Sequence, residues 1–419
     1  MNLGLVSLLL LGVAIAIGFF RKTNVGLVSL LFALILGHVA GLNDKTILAG
    51  FNPNLFITLM GVTLLFSILN NNGTIELMAK KIVSLAGNNH FLLPIMVFMV
   101  GLIITTIGPG SIPALAIMPA FAIPIAKARG YNPLMLALIG CFGIFSGRMS
   151  NVTPEGILVY NLMGKAGVDT TNALFPIYAN QILTGICLFI MAFIYYKGYK
   201  VVPVEEQEAE ILKFSPKQLL SLFGLITMAV LVVFFKFNVG LVSFAISAVL
   251  LCCHVSPEGK SIKGIPWGVL IMVSGVSALM NLVIKAGGIK FLTAALAMLM
   301  TSYTASAVMG ATAGIMSWFS SGLGVVFPTL IPTVASVAQA VGSVNPIELA
   351  STVVIGGTIT GVSPISTTGG LIIATMLAGE TETTKEEELK LFVELYSWSV
   401  AALVLVVVLS LLGAYKLFL

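Results

Sequence analysis

NVGLVS stands at Asn24–Ser29 and returns letter for letter at Asn238–Ser243, a numbering offset of 214 (238 − 24). The same offset joins Gly50 to Gly264, Gly61-Val62 to Gly275-Val276, Leu65 to Leu279, Gly73 to Gly287 and Ile75 to Ile289. After a one-residue deletion the offset becomes 213: Pro119 pairs with Pro332, and Asn132-Pro133 with Asn345-Pro346. In that register Ala137, Gly143, Ser150 and Gly156 pair with Ala350, Gly356, Ser363 and Gly369. Glycine and proline dominate these matches, as expected when two copies of a unit retain one backbone shape. The chain is read as a duplication, with repeats at 1–200 and 218–419 and a polar linker, VVPVEEQEAEILKFSPK, at 201–217.

Each repeat is built from long apolar runs. Of 419 residues, 58% are hydrophobic and 9% charged, against roughly 25% charged in a soluble domain. Thirty-seven charges cannot cover a water-facing surface for a chain of this length, which excludes a soluble enzyme, and the net +5 never gathers into a nucleic-acid-binding patch. The runs lack the period-two alternation of a barrel, so the class is an all-α polytopic membrane protein. Cys141, Cys187, Cys252 and Cys253 lie in apolar stretches without metal-ligand spacing and read as small packing residues. The first run has its charges, Arg21 and Lys22, after it and no small-residue cleavage site, so it is read as a retained span.

The first repeat parses into spans at about 3–20, 25–42 and 54–71, an interfacial amphipathic stretch at 75–87, and a segment at 90–126 broken by GPGSIP (Gly108–Pro113). A run at 133–163, broken by GRMSNVTPEG (Gly147–Gly156), and a span at 174–197 complete it. The second repeat has the same layout at 218–235, 239–253, 268–286, 303–342 (broken by SSGLG, Ser320–Gly324), 346–378 (broken by GVSPISTTGG, Gly361–Gly370) and 391–415. A run of about 37 residues is nearly two spans long, so 90–126 and its counterpart read as re-entrant hairpins. Each repeat then crosses five times, about ten spans in all, and the two copies are inverted. Under that topology fourteen Lys/Arg lie on the linker's side and six on the other, which places the linker in the cytoplasm and both termini outside an inner-membrane-type bilayer.

Unwound backbone at mid-membrane is tolerated only where protein or a water-filled cavity satisfies it. Four such breaks in two related pairs point to a secondary transporter with its site at the midplane. They supply helix N-termini for an anion and carbonyl and hydroxyl oxygens for a hard cation such as Na⁺. Arg148 is the one basic residue well inside an apolar run, with Glu155 the nearest acid. Two readings stand side by side: a self-neutralising pair that shapes the loop, or a guanidinium presented to a substrate carboxylate. The equivalent loop Gly361–Gly370 carries no charge, which favours the second. His38 and His254 sit near span ends and read as interfacial. No HExxH, GxSxG or P-loop appears, so no enzyme is expected, and nearly carboxylate-free spans count against a proton antiporter.

Two hairpins and two interrupted helices in inverted five-span repeats resemble the ion transporter superfamily and its divalent anion/sodium symporters. The stretches LGLVSLLLLGVAIAIGFFRKTNVGLVSL and GVTLLFSILNNNGTIE, which lie between Leu3 and Glu76, are similar to the malonate-carrier type of dicarboxylate transporter. This resemblance implies Na⁺-coupled symport of a small dicarboxylate, malonate-like or C4, by an elevator motion in a homodimer, with Na⁺ as coupling ion and no other cofactor. The alternatives are a cation/proton antiporter of the same superfamily or an ion channel. It also implies a scaffold at 1–87 and 218–300 and moving parts at 88–200 and 301–419. The implied substrate contacts are Gly108, Pro109, Gly110 and Ser111 at the first tip, Ser320, Ser321 and Gly322 at the second, and Arg148, Asn151, Thr367 and Thr368 in the interrupted helices. Na⁺ ligands are implied at Gly147, Ser150, Asn151, Thr153, Gly361, Ser363, Ser366 and Thr367. The family's Ser-Asn-Thr tip signature is absent from both tips, which leaves backbone N–H groups and serine hydroxyls in its place.

Overall fold

The chain, in a computed structural model, is described from residue 3 to 419 apart from 52, 88, 90, 109, 202–212, 236, 343 and 378–384, with backbone alone at 19, 55, 112, 113, 116, 233, 367 and 385. Pro109, the centre of the linker and the Thr367 side chain therefore fall outside the described residues. Helices account for the fold, and no strand occurs among the described residues. The first half holds α1 (Leu3–Arg21), α2 (Val25–Val39), α3 (Asp44–Leu48), α4 (Pro53–Asn71), α5 (Thr74–Ser84), α6 (Leu92–Thr106), α7 (Ser111–Arg129), α8 (Pro133–Gly147), α9 (Pro154–Lys165) and α10 (Leu174–Tyr195). The second holds α11 (Pro216–Val233), α12 (Val239–Cys252), α13 (Glu258–Lys263), α14 (Trp267–Lys285), α15 (Gly288–Ala297), α16 (Ala305–Phe319), α17 (Phe327–Leu330), α18 (Val334–Val341), α19 (Pro346–Ile359), α20 (Thr367–Leu377) and α21 (Lys385–Leu411).

Among the described residues, each apolar run expected from the sequence holds at least one helix. Four stretches among the described residues are individually long and apolar enough to cross a bilayer: Leu174–Tyr195, Trp267–Lys285, Gly322–Val341 and Glu386–Leu411. The helices that lead into the breaks are shorter. α6, α8 and α16 have 15 residues each and α19 has 14, about 22 Å at 1.5 Å per residue, less than the roughly 30 Å hydrocarbon core. None of them spans that thickness alone. One arm differs from a regular helix. Gly322–Val341 begins with a π turn (Gly322–Val326), and Pro328 and Pro332 divide the remainder into α17, a 3₁₀ turn and α18, since proline has no N–H to donate to the ladder.

Helix starts obey local chemistry. Asn24, Asn132, Asn238 and Asn345 accept from the backbone N–H of Gly26, Met135, Leu241 and Ile347, capping α2, α8, α12 and α19. Proline occupies the first position of α8, α9 and α19, where its missing N–H costs nothing. The duplication also shows in how helices cross. A methyl group on Gly275 of α14 would lie 2.0 Å from the Gly26 carbonyl oxygen of α2, and one on Gly61 of α4 would lie 2.3 Å from that of Gly240 on α12. Gly61 and Gly26 are the first-repeat counterparts of Gly275 and Gly240. One backbone-to-backbone contact is therefore made twice, each time between opposite repeats, and only glycine permits it. α8 and α19 are buried on nearly every face, Leu134–Gly147 and Glu348–Ile359, as expected of helices enclosed by other helices instead of lipid.

Candidate functional site

Both interrupted helices are held open by one device. Thr153 Oγ1 donates within reach of two carbonyls, Arg148 at 2.7 Å and Ser150 at 2.8 Å, and accepts from the Gly156 N–H at 3.2 Å, capping α9. Ser366, its counterpart in the second repeat, does the same: Gly361 O at 2.5 Å, Ser363 O at 2.7 Å, and Gly369 N–H at 3.2 Å. The end of one half-helix is thus pinned to the start of the next, and in each break two carbonyls and a hydroxyl converge. Ser150 Oγ adds a bond to Thr106 O at the end of α6, joining the first break to the end of that helix.

The turns at 108–111 and 320–322 are built differently. At the first, Gly108 and Gly110 hold φ of +145° and +71°, which other residues rarely adopt. Ser111 opens α7, and both its N–H and its hydroxyl donate to Glu155 Oε1 at 2.7 Å. At the second tip Ser320 Oγ donates to Met316 O at 2.7 Å, while Ser321 Oγ accepts from Gly324 N–H at 3.1 Å and starts the π turn. The first N–H groups of that turn have no intrahelical partner, by the geometry of helix starts.

Between these four elements lies a cavity of about 380 Å³. Ser111 and Arg148 reach it from the first repeat; Ser320, Ser321, Gly322, Gly361, Ser366 and Thr368 reach it from the second. A larger groove of about 990 Å³ between α10 and α21 is lined mainly by apolar side chains and contains none of the expected site residues.

Arg148 is the cation of the cavity, 5% exposed. Its Nη2 stands 3.5 Å from Glu155 Oε1, its Nη1 lies 3.4 Å from Thr358 Oγ1, and the guanidinium sits 5.7 Å from the centre of the Phe327 ring. These contacts are long for a buried guanidinium, whose charge-assisted bonds run about 2.7–2.9 Å. Its Nε has no hydrogen-bond partner among the described residues. A buried cation with spare donors at a cavity wall can take a carboxylate in its planar fork, with the ring beneath adding cation–π attraction.

Among the described residues, the remaining expected ones do not line the cavity. Gly147 packs against Leu102 O and Thr106; Ser150 and Thr153 are spent on the break; Ser363 is buried, its hydroxyl 3.4 Å from the Ile365 N–H. Gly108 abuts Phe66, and Gly110 abuts Glu155. Asn151 is exposed and lines a separate void of about 330 Å³ with Tyr160 and Thr171. Several cavity residues carried no sequence signal of their own; Phe145, Ser317, Trp318 and Thr358 stand next to breaks, whereas Val269 and Met272 come from α14. Proximity to a break was the available cue for the first four, each within three residues of one, and no cue pointed to the α14 pair.

A family model described as the N-terminus of the dicarboxylate carrier protein MatC matches residues 1–148, the part of the chain that ends on Arg148. The malonate-carrier resemblance of the N-terminal stretch is thereby borne out. Among solved structures, the transporter YdaH of Alcanivorax borkumensis is similar in fold, with a TM-score of 0.58 at 11% identity over 89% of this chain and 88% of that one. No curated protein matches the chain in sequence.

Proposed function

We propose that the protein is a secondary active transporter of small dicarboxylates, malonate-like or C4, driven by Na⁺ symport through an elevator-type exchange. The observation that carries this reading is Arg148: a buried guanidinium with an unpartnered Nε on the wall of a cavity where both tips and both breaks meet. The cavity is of the size range that encloses small ligands. One substrate carboxylate pairs with Arg148, while hydroxyls and helix-start N–H groups of the second repeat meet the other. Sodium is the reading favoured by the two oxygen clusters, Arg148 O, Ser150 O and Thr153 Oγ1, and Gly361 O, Ser363 O and Ser366 Oγ. Such neutral oxygens suit a hard monovalent cation. The elevator division assigns 88–200 and 301–419 to the moving part and 1–87 and 218–300 to the frame, in a homodimer with the linker in the cytoplasm.

Uptake of labelled malonate and succinate into proteoliposomes tests the proposal. Concentrative uptake that requires an inward Na⁺ gradient is expected. Uptake driven by a proton gradient and indifferent to Na⁺ removes the sodium assignment, and passive uncoupled flux points to a channel.

A further inference from the structure

Glu155 is a buried carboxylate, 1% exposed, in the first turn of α9, yet its main partners are on another element. Ser111, at a sequence separation of 44, gives it two hydrogen bonds of 2.7 Å, one from the first N–H of α7 and one from the hydroxyl. The positive end of a helix, a hydroxyl and a guanidinium at 3.5 Å together make an anion seat. Gly110 is part of it: a methyl group there would come within 2.4 Å of Glu155 Oε2, so the bare backbone is what lets the carboxylate reach the helix end. Two atoms mark where this arrangement is incomplete. Glu155 Oε2 and Arg148 Nε are both buried without a hydrogen-bond partner among the described residues.

We propose that the first hairpin tip is a carboxylate-binding seat filled by the protein's own Glu155. The counterpart of Glu155 in the second repeat is Thr368, which lines the cavity and brings no charge to the second tip. The first seat is therefore occupied before any substrate arrives, and the second tip stays open. In terms of the dicarboxylate reading, on which this last step rests, the transported anion lies between Arg148 and the second tip instead of bridging the two tips. The fixed charges of Arg148 and Glu155 cancel, so the neutral donors of the second repeat set which anion is accepted.

The seat can be tested without measuring transport. Glu155→Ala empties it and leaves room for a small carboxylate. The purified full-length variant should melt several degrees below the parent in sodium gluconate, and sodium formate at equal ionic strength should raise its melting temperature saturably. The parent, with its seat filled, should respond much less. A formate response no larger in the variant than in the parent overturns the proposal. Should the alanine variant not fold, Glu155→Gln carries the test, since it keeps the shape and removes the charge. It is expected to melt below the parent, and melting at the parental temperature equally overturns the proposal. Because melting is the readout, a protein that transports something other than a dicarboxylate would still pass or fail on the seat alone.

Discussion

Residues 148–156 and 361–369 are held by matching sets of three hydrogen bonds at matching positions, yet only the first set surrounds ions. Where the first break has Arg148 and Glu155, the second has Gly361 and Thr368. The shared bonds are what a break in a helix requires of any sequence: a hydroxyl to gather loose carbonyls and to cap the next segment. The charges are not required for that, since the second break forms without them. Their presence in one copy separates the two jobs of the motif, shaping the backbone and presenting chemistry to the cavity.

The largest effect expected on this contrast comes from Arg148→Ala. It leaves Glu155 buried without a counter-ion, a loss of about 3–5 kcal/mol, and folded yield and melting temperature should fall accordingly. Arg148→Ala/Glu155→Ala removes both charges and should regain most of that stability, since it brings the first break to the uncharged state of the second. Such a double variant should fold and fail to bind dicarboxylate. Near-normal uptake by it would confine Arg148 to neutralising Glu155 and leave the cavity without its proposed anchor.

A control belongs where the repeats are alike. Gly61→Ala and Gly275→Ala each place a methyl group against a carbonyl of the partner helix, at 2.3 Å and 2.0 Å. Each should destabilise by about 1–3 kcal/mol, the range for overpacking, and by similar amounts in thermal melts. A large difference between them would mean that the asymmetry extends beyond the breaks into the frame.

Arg148→Lys probes the chemistry with less disturbance. Lysine keeps the charge near Glu155 but loses the planar fork. The dissociation constant for the dicarboxylate should rise about tenfold, or ~1.4 kcal/mol, with folded yield close to the parent in the same preparations. Unchanged affinity would mean that a point charge suffices and that the geometry of the guanidinium is idle.

The fold is largely legible in the sequence because its signals are local or periodic. Glycines at matching offsets, apolar runs of span length, and Gly/Pro/Ser interruptions all leave marks in a single strand of letters. Arg148 is legible as well, as a charge where the surroundings should exclude one. The partners of Glu155 are only half visible. Arg148 is close to it in sequence and is read from spacing, but Ser111 is separated from it by 44 positions and is joined to it only by packing of α7 against the break. The Phe327 ring beside Arg148 belongs to the other repeat and looks in the sequence like any other apolar residue of the run at 303–342. The π turn at Gly322–Val326 is hidden for a similar reason: Ser-Ser-Gly-Leu-Gly announces a break without saying how the next segment winds.

The smallest effect expected is also the closest comparison. Thr153→Ala and Ser366→Ala delete the same hydroxyl from the two breaks, and with it the cap on α9 or α20 and the gathering of two carbonyls. Loss of a helix cap costs about 1 kcal/mol, so each variant should fold with a modest drop in melting temperature. If both oxygen clusters hold Na⁺, each variant should also raise the Na⁺ concentration for half-maximal uptake, because the hydroxyl is one of three oxygens in its cluster. The two shifts should then be similar, since the hydroxyl-to-carbonyl distances are 2.7 and 2.8 Å in the first cluster and 2.5 and 2.7 Å in the second. An effect confined to Thr153→Ala would tie Na⁺ to the charged break alone. An effect confined to Ser366→Ala would mean that Arg148 and Glu155 repel or replace the cation on their side, so that the two breaks divide the work, one taking the anion and the other the cation.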